Sequence, residues 1–407
     1  MERTELTPAT QAELVRLVDE NAQGPKRPLW PVGGRTALRY GGGAEPHRPG
    51  ITISTAELTR VLDYPARDMT ITVEAGITVA ALQETLAKEG QRLPIDIPQP
   101  QRATLGGALA TNTSGPGRFG SGTFRDYVIG ISAVDSTGRR FSAGGRVVKN
   151  VAGYDLCKLL VGSLGTLGII TQVTLKVRPT PEARRIVWAV FPELRSIAPV
   201  LDRLVTSETR PAAMEVFNSK AARHIVREAR LSLPAEQPVL AVAFEGTVRE
   251  AEWQAAALQG ELHPFQPVAA ETLTDEPAAE LWLAMTEYQS ASDDPLTFQA
   301  SLLPSHTIEF CDAASAQGVA VQSHAGNGVV VGHLPDRCAT VESAALALRP
   351  LRELAERHGG HLTILNCDEA WLGRLSTFGP RRGDRDMMDR VRRQLDPLGL
   401  LSPGRFQ

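Results

Sequence analysis

The chain has 407 residues, 42% of them hydrophobic and 22% charged, with a formal net charge of -3. That length suits two domains, and the near-neutral charge gives no electrostatic reason to expect nucleic acid or an anionic membrane as a partner. The four cysteines, Cys157, Cys311, Cys338 and Cys367, form no CxxC pair and match no zinc or iron–sulfur spacing, so reduced thiols in a cytosolic protein are expected.

The N-terminus is charged and lacks the apolar core of a signal peptide, and no apolar run approaches the ~18 residues of a membrane helix. A helix is expected over 7–22, with Thr7 as N-cap, Pro8 in the first turn and Leu14, Leu17 and Val18 as its apolar stripe. A strand over 28–32 leads into a first glycine-rich loop, Gly33-Gly34-Arg35-Thr36 running on to Gly41-Gly42-Gly43. Consecutive residues there can turn backbone N–H groups inward as an anion nest. Two β-like runs, ITIST and TITVEA, follow within 51–75, then an amphipathic helix capped by Thr78 and stopped by Gly90.

A second glycine cluster spans 104–122, beginning Thr104-Leu105-Gly106-Gly107 and reaching Asn112. Small residues there allow close approach to a flat ring or a pyrophosphate. Gly115, Gly117 and Gly120 match GxGxxG, with Asp135 twenty residues after Gly115. A dinucleotide fingerprint is rejected because no apolar strand enters Gly115 and no helical period follows Gly120. Residues 128–142 predict a hairpin turning at Ser136-Thr137-Gly138, and 168–178 another strand. Before that strand, Lys149-Asn150, Tyr154 and the glycines Gly162, Gly165 and Gly168 form the third glycine-rich segment. Three such segments in one half of a chain point to a large phosphate-bearing cofactor.

Pro179 and Pro181 mark a domain boundary, after which longer helical segments at 192–207 and 248–260 alternate with strands such as PVLAVAFEG. A helix over 384–395 and a turn-rich tail, DPLGLLSPGRF, close the chain; there is no internal sequence repeat.

The order PVGGRTALRYGG, TLGGALATNTSG, NVAGYDLCKLLVGSLGTLGIITQVTLKV resembles the FAD-binding domain of the vanillyl-alcohol oxidase and p-cresol methylhydroxylase superfamily. The NVAGYDL and GSLGTLGIIT stretches are similar to its 2-hydroxyacid dehydrogenase branch, and over the chain to the FAD-binding (E) subunits of bacterial glycolate oxidases. The tail resembles that family's DP-x-G-x-x-x-PGR ending. The resemblance implies an α+β fold: a PCMH-type FAD-binding domain over 1–180, a ferredoxin-like α+β cap over 181–370, and a segment over 371–407 returning to the FAD domain. It implies that Val32, Gly33, Gly34, Arg35, Thr36, Ala37 and Leu38 wrap the FAD pyrophosphate. Pro98, Thr104, Leu105, Gly106, Gly107, Ala110, Thr111 and Asn112 would line the flavin and its phosphates. Gly162, Gly165, Thr166, Gly168 and Ile169 would hold the adenosine side or the ribityl backbone, with Lys149, Asn150 and Tyr154 near the cofactor. Some relatives attach FAD through a histidine in the first loop; here that loop has none, and His47 lies in a following turn, so FAD is expected to bind non-covalently.

Related catalytic subunits carry HxGDGNxH and a later Glu as a metal and substrate site. This chain has His324-Ala325-Gly326-Asn327-Gly328, with Val331 where the second histidine belongs and His333 two residues later. His324, Asn327 and Glu369 are the candidate catalytic residues; no metal is expected. Arg118, Arg125, Arg381 and Arg382 are candidate cations for a substrate carboxylate. The resemblance thus implies a cytoplasmic FAD-dependent oxidoreductase acting on the CH–OH group of 2-hydroxyacids. It would work beside a paralogous catalytic flavoprotein subunit and an iron–sulfur subunit, through which it could reach the inner face of the membrane. The alternatives are a stand-alone D-lactate or glycolate dehydrogenase, and a non-redox subunit with a relic FAD site.

Overall fold

The computed structural model describes residues 4–42, 49–145, 155–290, 294–381 and 383–406. The chain divides into two compact units. One comprises Met1–Thr113, Thr123–Thr180 and Ser376–Gln407; the other comprises Ser114–Gly122 and Pro181–Leu375. The sequence boundary at Pro181 coincides with the division, but Ser114–Gly122 packs with the second unit. Gly120 explains this: its N–H donates to Ala212 O at 2.9 Å, and a Cβ there would lie 2.8 Å from Ala212 Cα. The GxGxxG glycine is therefore a packing position. Asp135, the apparent ribose ligand of that pattern, instead accepts from Thr137 and Arg139 in its own turn.

The first unit holds a parallel three-stranded sheet, with Ile51–Ser54 between Thr4–Leu6 and Leu29–Val32. Its antiparallel five-stranded sheet runs Val61–Asp63, Thr70–Glu74, Ile169–Lys176, Val128–Val134, Arg140–Gly144. The expected hairpin is present, with Gly138 at φ +83° in its turn. The first helix starts later than expected, at Gln11–Gln23, because Thr10 Oγ1 accepts from Glu13 N at 3.2 Å and Glu13 reaches back to Ala9 N. This near-capping box fixes the start three residues beyond Thr7. The tail extends the parallel sheet: Leu29 N donates to Leu400 O at 2.7 Å and Ser402 N to Leu29 O at 2.9 Å. Buried Asp396 holds the tail by accepting from Leu400 N and Leu401 N, each at 3.0 Å.

The second unit is built on one antiparallel sheet of eight strands, ordered Ala269–Thr274, Ala183–Val190, Val239–Gly246, Ala213–Phe217, Ala320–His324, Val329–His333, Leu296–Ser301, His361–Cys367. Numbered along the chain, the first four strands have order 4-1-3-2 and the last four its mirror, 2-3-1-4. The sheet is therefore two ferredoxin-like halves joined through their second strands, where one was expected. The repeat is hidden in sequence because the first half inserts helix Ser219–Glu228 between its second and third strands. The second half closes the same connection with the short turn Ala325–Asn327.

Both faces of the first half are covered, so its strands are nearly continuous apolar runs. Within Ala183–Val190, Val187 and Ala189 enter one core with helices Ala198–Val205 and Val248–Leu262. Ile186, Trp188 and Val190 enter the other, with Ser219–Glu228 and Asp275–Glu287. Across the sheet centre, the second face turns polar: Glu215, Gln322, His324, His333 and Thr297 are all buried on it.

Candidate active site and cofactor cradle

The three glycine-rich segments converge within the first unit. Gly33 abuts the second segment so closely that a Cβ would lie 2.0 Å from Thr104 Oγ1; at Gly34 it would lie 1.7 Å from Arg102 O. Thr104 itself caps helix Leu105–Thr111, its Oγ1 accepting from Gly107 N at 3.3 Å. Gly106 lies against Ala75, where a Cβ would come within 2.8 Å of the alanine methyl. The third segment bonds to the same helix: Gly162 N donates to Leu109 O at 3.0 Å and Leu164 N to Ala110 O at 2.8 Å. Gly162 and Gly165, at φ +78° and +70°, adopt the left-handed turn that glycine tolerates. Gly165 also meets Pro31 and Ser402.

The chemistry of the first loop lies in what it leaves free. Among the described residues, no backbone N–H from Gly33 to Leu38 donates to another protein group. A run of unpartnered donors following a strand is what an anion-binding nest requires. Arg35 contributes its backbone there at φ +59°, while its side chain pairs with Glu5 at 2.6 Å. Val32 ends the preceding strand and Pro98 is half-buried. Thr111 Oγ1 is engaged by Thr113 at 2.6 Å and by the helix carbonyls. Asn112 caps that helix at φ +52°, and its Oδ1 is buried without a partner, as is Ser163 Oγ. Thr166 donates to Ser163 O at 2.7 Å; Gly168 and Ile169 begin the following strand region. Lys149, Asn150, Tyr154, His47 and Arg382 lie outside the described residues.

Sequence reasoning missed Arg405. Its Nη2 donates to Leu38 O at 3.2 Å, its Nε is buried without a partner, and no acidic group pairs with it among the described residues. Burial lowers its pKa to about 10, so it remains protonated at neutral pH. The tail thereby presents a cation beside the nest. The only signal in the sequence is the position of this arginine in the PGR ending. An extended dinucleotide fits this donor set: free N–H groups and Arg405 for a pyrophosphate, orphaned Asn112 and Ser163 oxygens for polar ring or ribose groups.

In the second unit, His324 ends strand Ala320–His324 directly opposite Glu215. Their side chains meet for that reason: Nδ1 lies 2.8 and 2.9 Å from the two Glu215 oxygens. Gln322 Nε2 donates to Glu215 Oε2 at 2.7 Å. Glu215 is 1% and His324 5% exposed. His324 Nε2 has no protein partner among the described residues. Glu215 was missed too, although an acid inside the apolar run AMEVF is a legible signal.

The other catalytic candidates do not assemble around His324. Glu369 is exposed beyond the far end of strand His361–Cys367: the register sets His361, three strand spacings or about 14 Å across, level with His324, and Glu369 lies roughly 26 Å further along the sheet. Asn327 sits in the turn after His324, its Oδ1 buried and unpartnered. Val331 pairs with Gln322; His333 pairs with Ala320, roughly 13 Å along the sheet from Val329, which faces His324. His333 Nδ1 has its own partners, Asp294 at 3.1 Å and Thr297 at 3.2 Å. The described residues around His324 therefore do not fit the two-histidine, one-carboxylate metal site of the related motif. Of the candidate cations, Arg381 pairs with Asp386 and Asp389, Arg125 donates to Lys158 O, and Arg118 donates to Ser114 Oγ.

Residues 4–144 match the family model for the FAD binding domain, and residues 180–363 match that for the C-terminal domain of FAD linked oxidases. The chain is thus an FAD-linked oxidoreductase with FAD as its cofactor. Glycolate oxidase subunit GlcD of Bacillus subtilis (strain 168) is 26% identical over 408 residues, covering 93% of this chain and 83% of that protein. Glycolate oxidase subunit GlcE of Escherichia coli (strain K12) is 40% identical, over 124 residues covering 30% of this chain and 35% of that protein. The solved structure of p-cresol methylhydroxylase with substrate bound has a TM-score of 0.75 at 15% identity, covering 99% of this chain and 88% of that one. The two-domain α+β fold of the PCMH type is the fold of this chain. No described helix is long and apolar enough to cross a membrane.

Proposed function

We propose that this chain is the FAD-binding, E-type subunit of a glycolate oxidase or dehydrogenase complex. It takes part in oxidation of a 2-hydroxyacid to the 2-oxoacid and exchanges electrons with a catalytic flavoprotein subunit and an iron–sulfur subunit. The carrying observation is a contrast: the first unit keeps a cofactor cradle intact in its donors, whereas the His324 neighbourhood of the second unit lacks the second histidine and the acid of the related catalytic site. The local similarity to GlcE supports the same reading. FAD binds non-covalently, since Gly33–Gly42 holds no histidine. When bound, FAD supplies a two-electron acceptor. Residues Gly33–Leu38 and Arg405 hold and neutralise its pyrophosphate, and the Thr104–Asn112 segment and Gly162–Ile169 enclose the remainder.

A second reading rests on Glu215. A carboxylate bound to Nδ1–H fixes the imidazole tautomer and leaves Nε2 as the accepting nitrogen, the arrangement a hydroxyl-proton acceptor needs. It favours a stand-alone 2-hydroxyacid dehydrogenase. Affinity purification of the chain from its native cells separates the two. Co-purification of a second FAD-binding chain and an iron–sulfur protein, with glycolate oxidation only in the assembled fraction, is expected. A chain that purifies alone with the full activity overturns the subunit reading.

A further inference from the structure

We propose that His306, Glu309 and His358 form a binding site for a first-row divalent cation of the zinc type. They lie on the apolar-core side of the eight-stranded sheet, opposite the face carrying Glu215 and His324. The turn Pro304–His306 leads into helix Thr307–Ala316, so His306 and Glu309 stand three residues apart at the helix start. His358 caps the C-terminus of helix Val341–Arg357. Both helices are held by the same core through Ile308, Phe310, Leu351 and Ala355, so the three side chains are presented from fixed backbone.

Their candidate ligand atoms all lie within 4.8 Å of one another. His358 Nε2 is 3.1 Å and His306 Nδ1 3.7 Å from Glu309 Oε2. Ligands of a tetrahedral zinc at ~2.0–2.1 Å are separated by about 3.4 Å, a value these distances bracket. Glu309 is exposed and free to turn, and rotations that splay the two stacked imidazoles would aim all three ligand atoms at one ion. The independent observation is at His358: its Nε2 is buried and, despite the nearby carboxylate, makes no hydrogen bond. A buried imidazole nitrogen without a bonded partner is costly, and a cation shared with Glu309 satisfies it. The two rings are stacked at 3.8 Å with planes 17° apart. Nitrogen and carboxylate donors suit zinc, with water at the fourth position. The bound ion would clamp the start of one helix to the end of the other.

The test uses the untagged, flavin-loaded protein. Isothermal titration with Zn²⁺, and metal analysis after dialysis, should give one zinc per chain. His306→Ala, His358→Ala and Glu309→Gln should each weaken zinc binding about tenfold or more. His263→Ala, at another helix end, should leave it unchanged. Cu²⁺ electron paramagnetic resonance should show coupling to two imidazole nitrogens in the parent and one in either histidine variant. The fluorescence of buried Trp188, in the same unit as the three residues, reports that each variant is folded. No zinc binding by the parent, or equal binding by folded variants, overturns the proposal.

Discussion

Replacing Glu215 with alanine should destabilise the second unit by about 3–5 kcal/mol, the range for leaving one side of a buried hydrogen-bonded pair uncompensated. The magnitude follows from its contacts. The carboxylate is 1% exposed and receives His324 Nδ1 at 2.8 Å and Gln322 Nε2 at 2.7 Å. Its removal strands two buried donors, at about 1–3 kcal/mol each, and opens a cavity beside Phe217. For a unit of this size, 3 kcal/mol lowers the melting midpoint by about 6–12 °C. Glu215→Gln keeps the shape and one acceptor oxygen, so it should cost less than half as much. Urea unfolding followed by fluorescence is suitable, because fully buried Trp188 lies 5.7 Å from Phe217, two residues along the strand from Glu215. A Glu215→Ala protein within about 0.5 kcal/mol of the parent would refute the reasoning, since effects of that size are typical of surface substitutions.

Gly34→Ala places a methyl 1.7 Å from the fixed carbonyl oxygen of Arg102, so the first and second segments must separate; the purified variant should lose most of its FAD, measured as flavin absorbance per chain. Arg405→Ala removes the unpaired cation beside the nest and should weaken FAD binding by about tenfold or more, the worth of a charge-assisted hydrogen bond, while Arg405→Lys recovers part of it; fluorescence titration of the apoprotein reads both. Burial raises the Cys311 thiol to about 12 from 9.0. The folded state therefore keeps a proton that the unfolded state releases, so this contribution to stability is complete below pH 9 and is lost as pH rises towards 12. Thiol reagents should label none of the four buried cysteines at pH 8 without denaturant.

Local chemistry made the cradle legible. Glycines that must touch neighbouring backbone, as Gly34 and Gly106 do, stand out as glycine runs, and Thr78 caps the expected helix. What escaped depends on distant pairing. Glu215 becomes His324's partner only through strand register, and Glu369, assigned to the same site by its order in the motif, is placed in a turn beyond the end of a far strand. Arg405 matters because the tail bridges back to Leu29, over 370 residues earlier. The duplicated half-sheet was concealed by one inserted helix, since topology repeats while residues do not.

The most direct test is the flavin spectrum of the isolated chain under anaerobic conditions, before and after glycolate and then dithionite. The subunit account predicts a flavin band that stays oxidised with glycolate and bleaches with dithionite. Bleaching by glycolate alone would contradict it and show a self-sufficient 2-hydroxyacid dehydrogenase, the reading that rests on His324 and Glu215.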